Sequence, residues 1–212
     1  MDDTKWERYA GIAGFLFVIL VLVVSFIPGA PPKPDDVGDI AKYFKDHDGA
    51  IQAAAFLNGF AGLAFLVFVT AVSGMIRRAE GAPRLSVVAF GGGAVALVFA
   101  FANAAILSAA AITDSGSQGT YVLSLTFTGV GTFGLIALAG ATAVAAFQTR
   151  MLPNWVAWIS AATAVVAIPG ASIASTSRDA AFFLSFIGFL VFVVWVLSVS
   201  FVLFRPQAAA AK

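Results

Sequence analysis

The sequence contains no cysteine, which excludes disulfides, thiolate metal ligands and thiol nucleophiles and leaves the redox compartment unreadable. It has little charge: Lys and Arg number 12 and Asp and Glu 11 in 212 residues, or 11%, where a soluble domain carries about a quarter. A formal net charge of +1 offers nucleic acid no electrostatic footprint. Histidine occurs once, at position 47. One histidine cannot supply the ligand set of a membrane metalloprotease, nor does any histidine stand inside an apolar stretch to activate a serine, and no Gly-x-Ser-x-Gly elbow occurs.

The most informative absence is of charge over long stretches. Residues 9–32, 49–76, 85–113, 115–149, 151–177 and 180–204 hold no Asp, Glu, Lys, Arg or His. Each run exceeds the roughly 20 residues that a helix needs to cross the hydrocarbon core. Mean hydropathy is +0.96 with 60% hydrophobic residues. The runs are continuous Leu, Val, Phe and Ala rather than the alternating segments of about ten residues that barrel strands require, so the fold class is all-α. The expectation is a single integral membrane domain over 1–212, a six-span transmembrane helical bundle with spans at about 8–28, 51–76, 86–112, 121–148, 153–173 and 180–204. Ionisable residues inside a span mark proton relays and ion pathways, and their absence argues against a proton-coupled transporter or a voltage sensor. The first run carries three acids in its leader and lacks an A-x-A-like cleavage site, so it reads as a retained span rather than a signal peptide.

Alternating the loops between two sides places Lys5, Arg8, Arg77, Arg78, Arg84, Arg150, Arg205 and Lys212 together, against Lys33, Lys42, Lys45 and Arg178 opposite. The positive-inside rule then puts both termini in the cytoplasm of a plasma-membrane protein. Trp6, Tyr9, Trp155 and Trp158 fall at the cytoplasmic interface as an aromatic belt. Ser86 and Thr120 suit N-caps for spans three and four, Ser177 with Asp179 suits the start of span six, and Pro206 suits its stop. Pro153 suits the first turn of span five.

Within lipid, small residues let helices approach closely. Gly92, Ala96, Ala100, Ala104 and Ser108 recur every four residues on span three; Ala137, Ala141 and Ala145 do so on span four, and Ala54, Asn58 and Gly62 on span two. Spans two, three and four are expected to form a tight centre, with span one facing lipid. Counted from the outer ends at about 1.5 Å per residue, Asn58, Asn103, Thr126, Thr128 and Ser185 share the outer leaflet. They line a polar cavity open to the outside or hydrogen-bond across helices. An amide in hydrocarbon needs a partner, so an Asn58 to Asn103 contact is expected under either reading.

The polar stretch PPKPDDVGDIAKYFKDHDGAIQ, residues 31–52, joins the first two spans on the outer side. Its prolines predict a stiff strut. Asp36 and Asp39 then predict a capped amphipathic helix over about 37–48, with Val37, Ile40, Ala41 and Phe44 on one face, Tyr43 and His47 on a flank, and Gly49 as a left-handed terminator. Ile40, Tyr43, Phe44 and His47 are the candidate lid residues. DHDG imitates part of a calcium loop, but positions one and twelve would be Phe44 and Ala55, which cannot ligate. No metal and no cofactor is expected.

The pattern Ile40-x-x-Tyr43-Phe44-x-x-His47 in an outer loop, followed by RRAEG and a glycine-rich third span, resembles an uncharacterised family of small actinobacterial multi-pass membrane proteins. The resemblance implies the layout and no catalytic residue. Three function classes stand at this point. The first is a non-enzymatic interaction or accessory protein whose partners are the lipid bilayer, other membrane proteins or copies of itself. The second binds or transports a small neutral or amphiphilic molecule through the outer-leaflet cavity, with the loop helix as lid. The third is an enzyme working on the outer loop around His47.

Overall fold

The computed structural model describes residues 3–34, 36–113, 116–171 and 179–205. Over these the chain forms α1 (Asp3–Phe26), α2 (Val37–Asp46), α3 (Asp48–Ala79), α4 (Leu85–Ile112), α5 (Gln118–Thr149), α6 (Asn154–Ala171) and α7 (Asp179–Phe204), with no strand among the described residues. Five helices are long and apolar enough to cross a membrane: α1 from Lys5, α3, α4, α5, and α7 from Phe183. The sixth apolar helix, α6, has 18 residues with Pro169 inside it. That length gives about 27 Å, a little short of a hydrocarbon core of about 30 Å.

Helix ends depart from the expected bounds because hydrogen-bonding caps, not the edges of apolar runs, decide them. Asp36 caps α2 as expected, its side chain accepting from the Asp39 N–H at 3.2 Å. Gly49, expected as a left-handed terminator, lies inside α3 instead. The break falls at His47, whose N–H donates to Tyr43 O at 3.1 Å and whose carbonyl accepts from Ile51 at 2.9 Å, closing α2 and opening α3. Ser117, not Thr120, caps α5, its hydroxyl oxygen accepting the Thr120 N–H at 3.2 Å. Pro153 precedes α6 and its carbonyl accepts from Val156. Ser177 and Pro206 lie outside the described residues.

Ser86 is not the cap of α4 either. The helix begins one residue earlier, and Glu80, at the end of α3, reaches across the turn: its carboxylate accepts from Leu85 N–H at 2.8 Å, Ser86 N–H at 3.0 Å and the Ser86 hydroxyl. A carboxylate on exposed helix N–H groups also meets the positive end of the helix dipole. Burial pushes the Glu80 carboxyl up, but these bonds outweigh it and hold its pKa below the ordinary 4.5. A lowered folded-state pKa contributes stability above the unfolded value and loses it as pH falls through the folded one. Amide exchange at Leu85 and Ser86 should therefore be protected at neutral pH and lose protection as pH drops below 4.5. Glu80→Gln is expected to weaken that protection at neutral pH and to abolish its pH dependence.

The six apolar helices close into a ring in the order α1, α3, α4, α5, α6, α7 and back to α1, and α2 rests against α3, α4 and α5 at one end. Alternation of direction brings Arg8, Arg77, Arg78, Arg84, Arg150 and Arg205 to the opposite end. There Glu7, only 7% exposed, pairs with Arg78 and ties α1 to α3. Tyr9, Trp155 and Trp158 are exposed at this end.

The expectation of a tight centre made by α3, α4 and α5 holds for the packing, since α4 approaches both α3 and α5 closely, but its central position needs correcting. The apolar windows of α3 and α5 are 56% and 50% buried, but that of α4 is 22% buried, close to the 28% of α1. A closed ring gives every member one outward face, so a stripe of small residues marks one contact rather than central position. α1 does turn Ile12, Leu16, Ile19 and Val23 outward. It also buries Ala10, Phe17 and Val18, and Gly11 lets it approach α7 so closely that a Cβ there would lie 2.8 Å from Ser200 O. On α4, Gly92 meets the α5 backbone at Gly134 and Leu138.

Candidate functional site

One end of the ring is hollow. In the half nearer the opposite end, the ring axis is filled by Phe68, Val72, Leu138, Trp195 and Val199, all essentially inaccessible. Above them Phe17, Phe65 and Phe192 meet, with ring centroids 4.7 Å apart for Phe17 and Phe65, 5.9 Å for Phe65 and Phe192, and 6.0 Å for Phe17 and Phe192. Phe68 and Phe192 in turn contact Trp195 at 5.7 and 5.9 Å. Over this aromatic floor lies a cavity of about 460 Å³. Such a volume lies within the range of about 300–1,000 Å³ typical of small-molecule sites.

Its walls come from α1 (Phe17, Val21, Val24), α3 (Ala54, Asn58, Gly62), α4 (Ala96, Ala100, Asn103, Ala104), α5 (Ser124, Thr128, Gly131, Thr132) and α7 (Phe189, Phe192). The small residues of α4 explain the space. Ala96, Ala100 and Ala104 stand where larger side chains would fill the axis, so a stripe that reads as helix contact serves in its outer half as cavity wall. Ser108, the last of that stripe, is partly buried and does not line the cavity. Among the described residues, no Asp, Glu, Lys, Arg or His lines the cavity.

The expected polar residues divide. Asn58, Asn103 and Thr128 line the cavity, whereas Thr126 and Ser185 do not. Both threonines donate to the carbonyl four residues back, Thr126 to Val122 O at 2.9 Å and Thr128 to Ser124 O at 3.2 Å. The hydrogen bond expected between the two amides is not present. Asn58 Nδ2 donates to Ala100 O at 3.4 Å, and Asn103 Oδ1 is buried with no hydrogen-bond partner among the described residues. The α4 backbone carbonyl, adjacent to Asn58 across the α3–α4 contact, takes the place that a matched depth alone had suggested for Asn103.

The roof is the polar stretch. Pro28 and Pro31 of the strut and Tyr43 of α2 reach the cavity from above. The strut is tied down by the start of α5: Tyr121 Oη donates to Pro32 O at 3.0 Å and Gln118 Nε2 to Pro34 O at 2.9 Å. Ile40 and Phe44, 0% and 1% exposed, anchor α2 in a separate apolar cluster with Ile51, Ala110, Ala111 and Tyr121. Val37 and Ala41, expected on the same face, are exposed, since α2 seats on helix ends through a stripe only two residues wide. His47 stacks on Tyr43 with centroids 4.9 Å apart and its Nδ1 lies 3.1 Å from Tyr43 O. Burial pushes the Tyr43 phenol above its ordinary value of 10. So of the four lid candidates, Tyr43 faces the cavity, Ile40 and Phe44 hold the lid in place, and His47 braces Tyr43.

Sequence reading missed Tyr121, Ser124, Thr132 and the aromatic floor. A tyrosine at the start of a span, level with an apposed proline strut, was the available signal for Tyr121. Among the described residues no group of three or more His, Cys, Asp or Glu is placed to hold a metal ion. No protein-family model, curated protein or solved structure matches this chain.

Proposed function

We propose that this is a six-span integral protein of the plasma membrane, with both termini in the cytoplasm, that binds a small neutral or amphiphilic molecule from the outer side without catalysing a reaction. Multiple apolar helices are compatible with a membrane-embedded protein, and α6 serves as the sixth span. The collection of cations at the end away from α2 supports the orientation. The observation that carries the function is the cavity of about 460 Å³ with apolar walls, a few neutral polar groups and a lid helix. A concave apolar space with a small number of convergent polar groups is the usual form of a small-molecule site. The floor of Phe17, Phe65 and Phe192 over Trp195 favours a bound ligand over passage to the other side.

Filling the space tests the reading. Ala100→Phe and Ala104→Phe are expected to cut binding of an environment-sensitive neutral fluorophore by at least about tenfold, as measured by titration in lipid nanodiscs. Thermal stability should be little changed, because the added ring occupies a void. Unchanged binding in both variants counts against the cavity as a site. The interaction or accessory reading draws on a different observation, the outward face of α4 with Val87, Val95 and Val98 exposed. Cysteine substitution at those positions followed by cross-linking in native membranes would reveal a partner helix or a second copy.

A further inference from the structure

The cavity wall is thin between α3 and α4. On α3 the flank at this seam is Ala55, Gly59 and Gly62, which the helical period sets in one row. None carries more than a methyl group. α4 meets that flank with Ala100 and Ala104 and, over Gly62, with the side chains of Leu97 and Phe101: a Cβ built on Gly62 would overlap Phe101 Cζ and Cε1. Leu97 is buried. Phe101 stands about 100° around α4 from Ala100, which lines the cavity, and about 60° from Val98, which is exposed on the outward face. Its ring accordingly lines the cavity and is also 41% exposed.

The depth of this seam selects what can use it. Phe101 lies about 17 Å inward of Ile112, where α4 ends, at about 1.5 Å per residue, close to the middle of a hydrocarbon core about 30 Å thick. From above, a ligand has to pass the roof. Lifting the strut breaks the bonds from Tyr121 to Pro32 and from Gln118 to Pro34, and lifting α2 withdraws Ile40 and Phe44 from their cluster. Turning Phe101 off Gly62 needs one change between staggered rotamers. It places the ring among lipid tails as apolar as the site it leaves, so the side route is the easier one.

We propose that the cavity is loaded sideways from the hydrocarbon of the bilayer, between α3 and α4 past Phe101, and that its ligand is a neutral lipophile dissolved there rather than a water-borne solute. The inference rests on the cavity being a binding site, as proposed above. Among the described residues no charged group lines the cavity, and an ionised ligand would pay heavily to reach the seam through hydrocarbon.

The test is pressure-jump relaxation of Nile red, a neutral lipophilic dye, in nanodiscs that hold the full-length protein with the dye already in the bilayer, so that relaxation reports exchange between bilayer and cavity. Phe101→Ala is expected to speed association and dissociation together, each by about tenfold, a barrier lower by about 1.4 kcal/mol. Gly59→Phe adds a second ring to the seam, where a Cβ meets nothing within 4 Å, and should slow both by at least about threefold. Gln118→Ala, which frees the strut, should leave both rates unchanged. Unchanged exchange in Phe101→Ala overturns the proposal and leaves the cavity reading standing; faster exchange in Gln118→Ala then assigns entry to the roof. Faster dissociation alone in Phe101→Ala makes that ring a wall contact and also overturns the proposal. If Phe101→Ala binds no dye, Gly59→Phe decides, since exchange as fast as in the unaltered protein overturns the lateral route. Failure of the unaltered protein to bind Nile red overturns both this proposal and the cavity reading.

Discussion

Gly92→Leu is expected to prevent α4 and α5 from seating against each other, whereas Gly91→Ala, one residue earlier, should be neutral or slightly stabilising. The two glycines differ only in what surrounds them. A Cβ at Gly92 would lie 2.6 Å from Gly134 O, 2.8 Å from Leu138 N and 2.9 Å from Ala137 Cβ, so it meets backbone that cannot rotate away. The contact is reciprocal, since a Cβ at Gly134 would strike Gly92 O and lie 2.6 Å from Ala96 N. At Gly91 nothing lies within 4 Å. Overfilling a close contact costs about 1–3 kcal/mol for small additions and more for large ones, while Gly to Ala in an open helical position gains up to about 1 kcal/mol. Gly93 is intermediate: its Cβ would lie 2.5 and 2.7 Å from the two γ-carbons of Val69, a buried β-branched side chain with little freedom in its helix, but its nearest contacts are side chain rather than backbone. Reversible unfolding in mixed micelles should rank the alanine variants at 91, 93 and 92 in order of increasing loss. Equal effects at 91 and 92 would show that α4 and α5 do not touch through this face.

The second large effect is expected at Trp195. Its ring is 0% exposed, meets Phe68 edge to face at 5.7 Å and Phe192 at 5.9 Å, and its Nε1–H donates to Ser160 Oγ at 2.8 Å. Ser160, also fully buried, donates in turn to Val156 O at 2.8 Å. Trp195 therefore joins α7 to α6 through a hydrogen bond and to α3 through an aromatic contact. Trp195→Ala opens a void at the centre of the ring, with an expected loss of about 3–5 kcal/mol. Trp195→Phe keeps most of the ring contacts and loses the bond to Ser160, at about 1 kcal/mol. A double substitution with Ser160→Ala should then cost less than the sum of the two single changes, because the pair shares one bond. Additive losses in the same unfolding assay would mean that the indole N–H does not contribute through Ser160.

These two sites show where sequence reading reaches and where it stops. The regularity of Gly92 and Ala96 was visible, since every fourth residue of a helix lies along one row, and so was the face of α5 that receives them at Ala137 and Ala141. Gly11, which sets the approach of α1 to α7, was overlooked because it stands at the edge of a run of Leu, Val, Ile and Phe that suggested a lipid-facing helix. The four-residue period also could not tell which part of the α4 stripe touches a neighbour. Gly92 does so, Ala96 both meets Gly134 and borders the cavity, and Ala100 and Ala104 border the cavity. Depth along the helices placed Asn58, Asn103 and Thr128 at one level, but azimuth decides partners. Rotation about the helix axis turns Thr126 away from the cavity that Thr128 lines and leaves Asn103 Oδ1 without a partner among the described residues.

The sequence by itself determined the all-helical class, the apolar runs that become the long helices, the collection of basic residues at one end and the capped α2 between the first two runs. Each follows from short-range chemistry: uncompensated backbone and charge cannot enter hydrocarbon, and a cap needs a side chain within a few residues. Only the tertiary structure decided that the helices close into a ring, that phenylalanines from α1, α3 and α7 seal its middle, and that the space above them is empty. A cavity is a property of facing surfaces from distant parts of the chain, and no local pattern encodes the volume that their side chains leave unfilled.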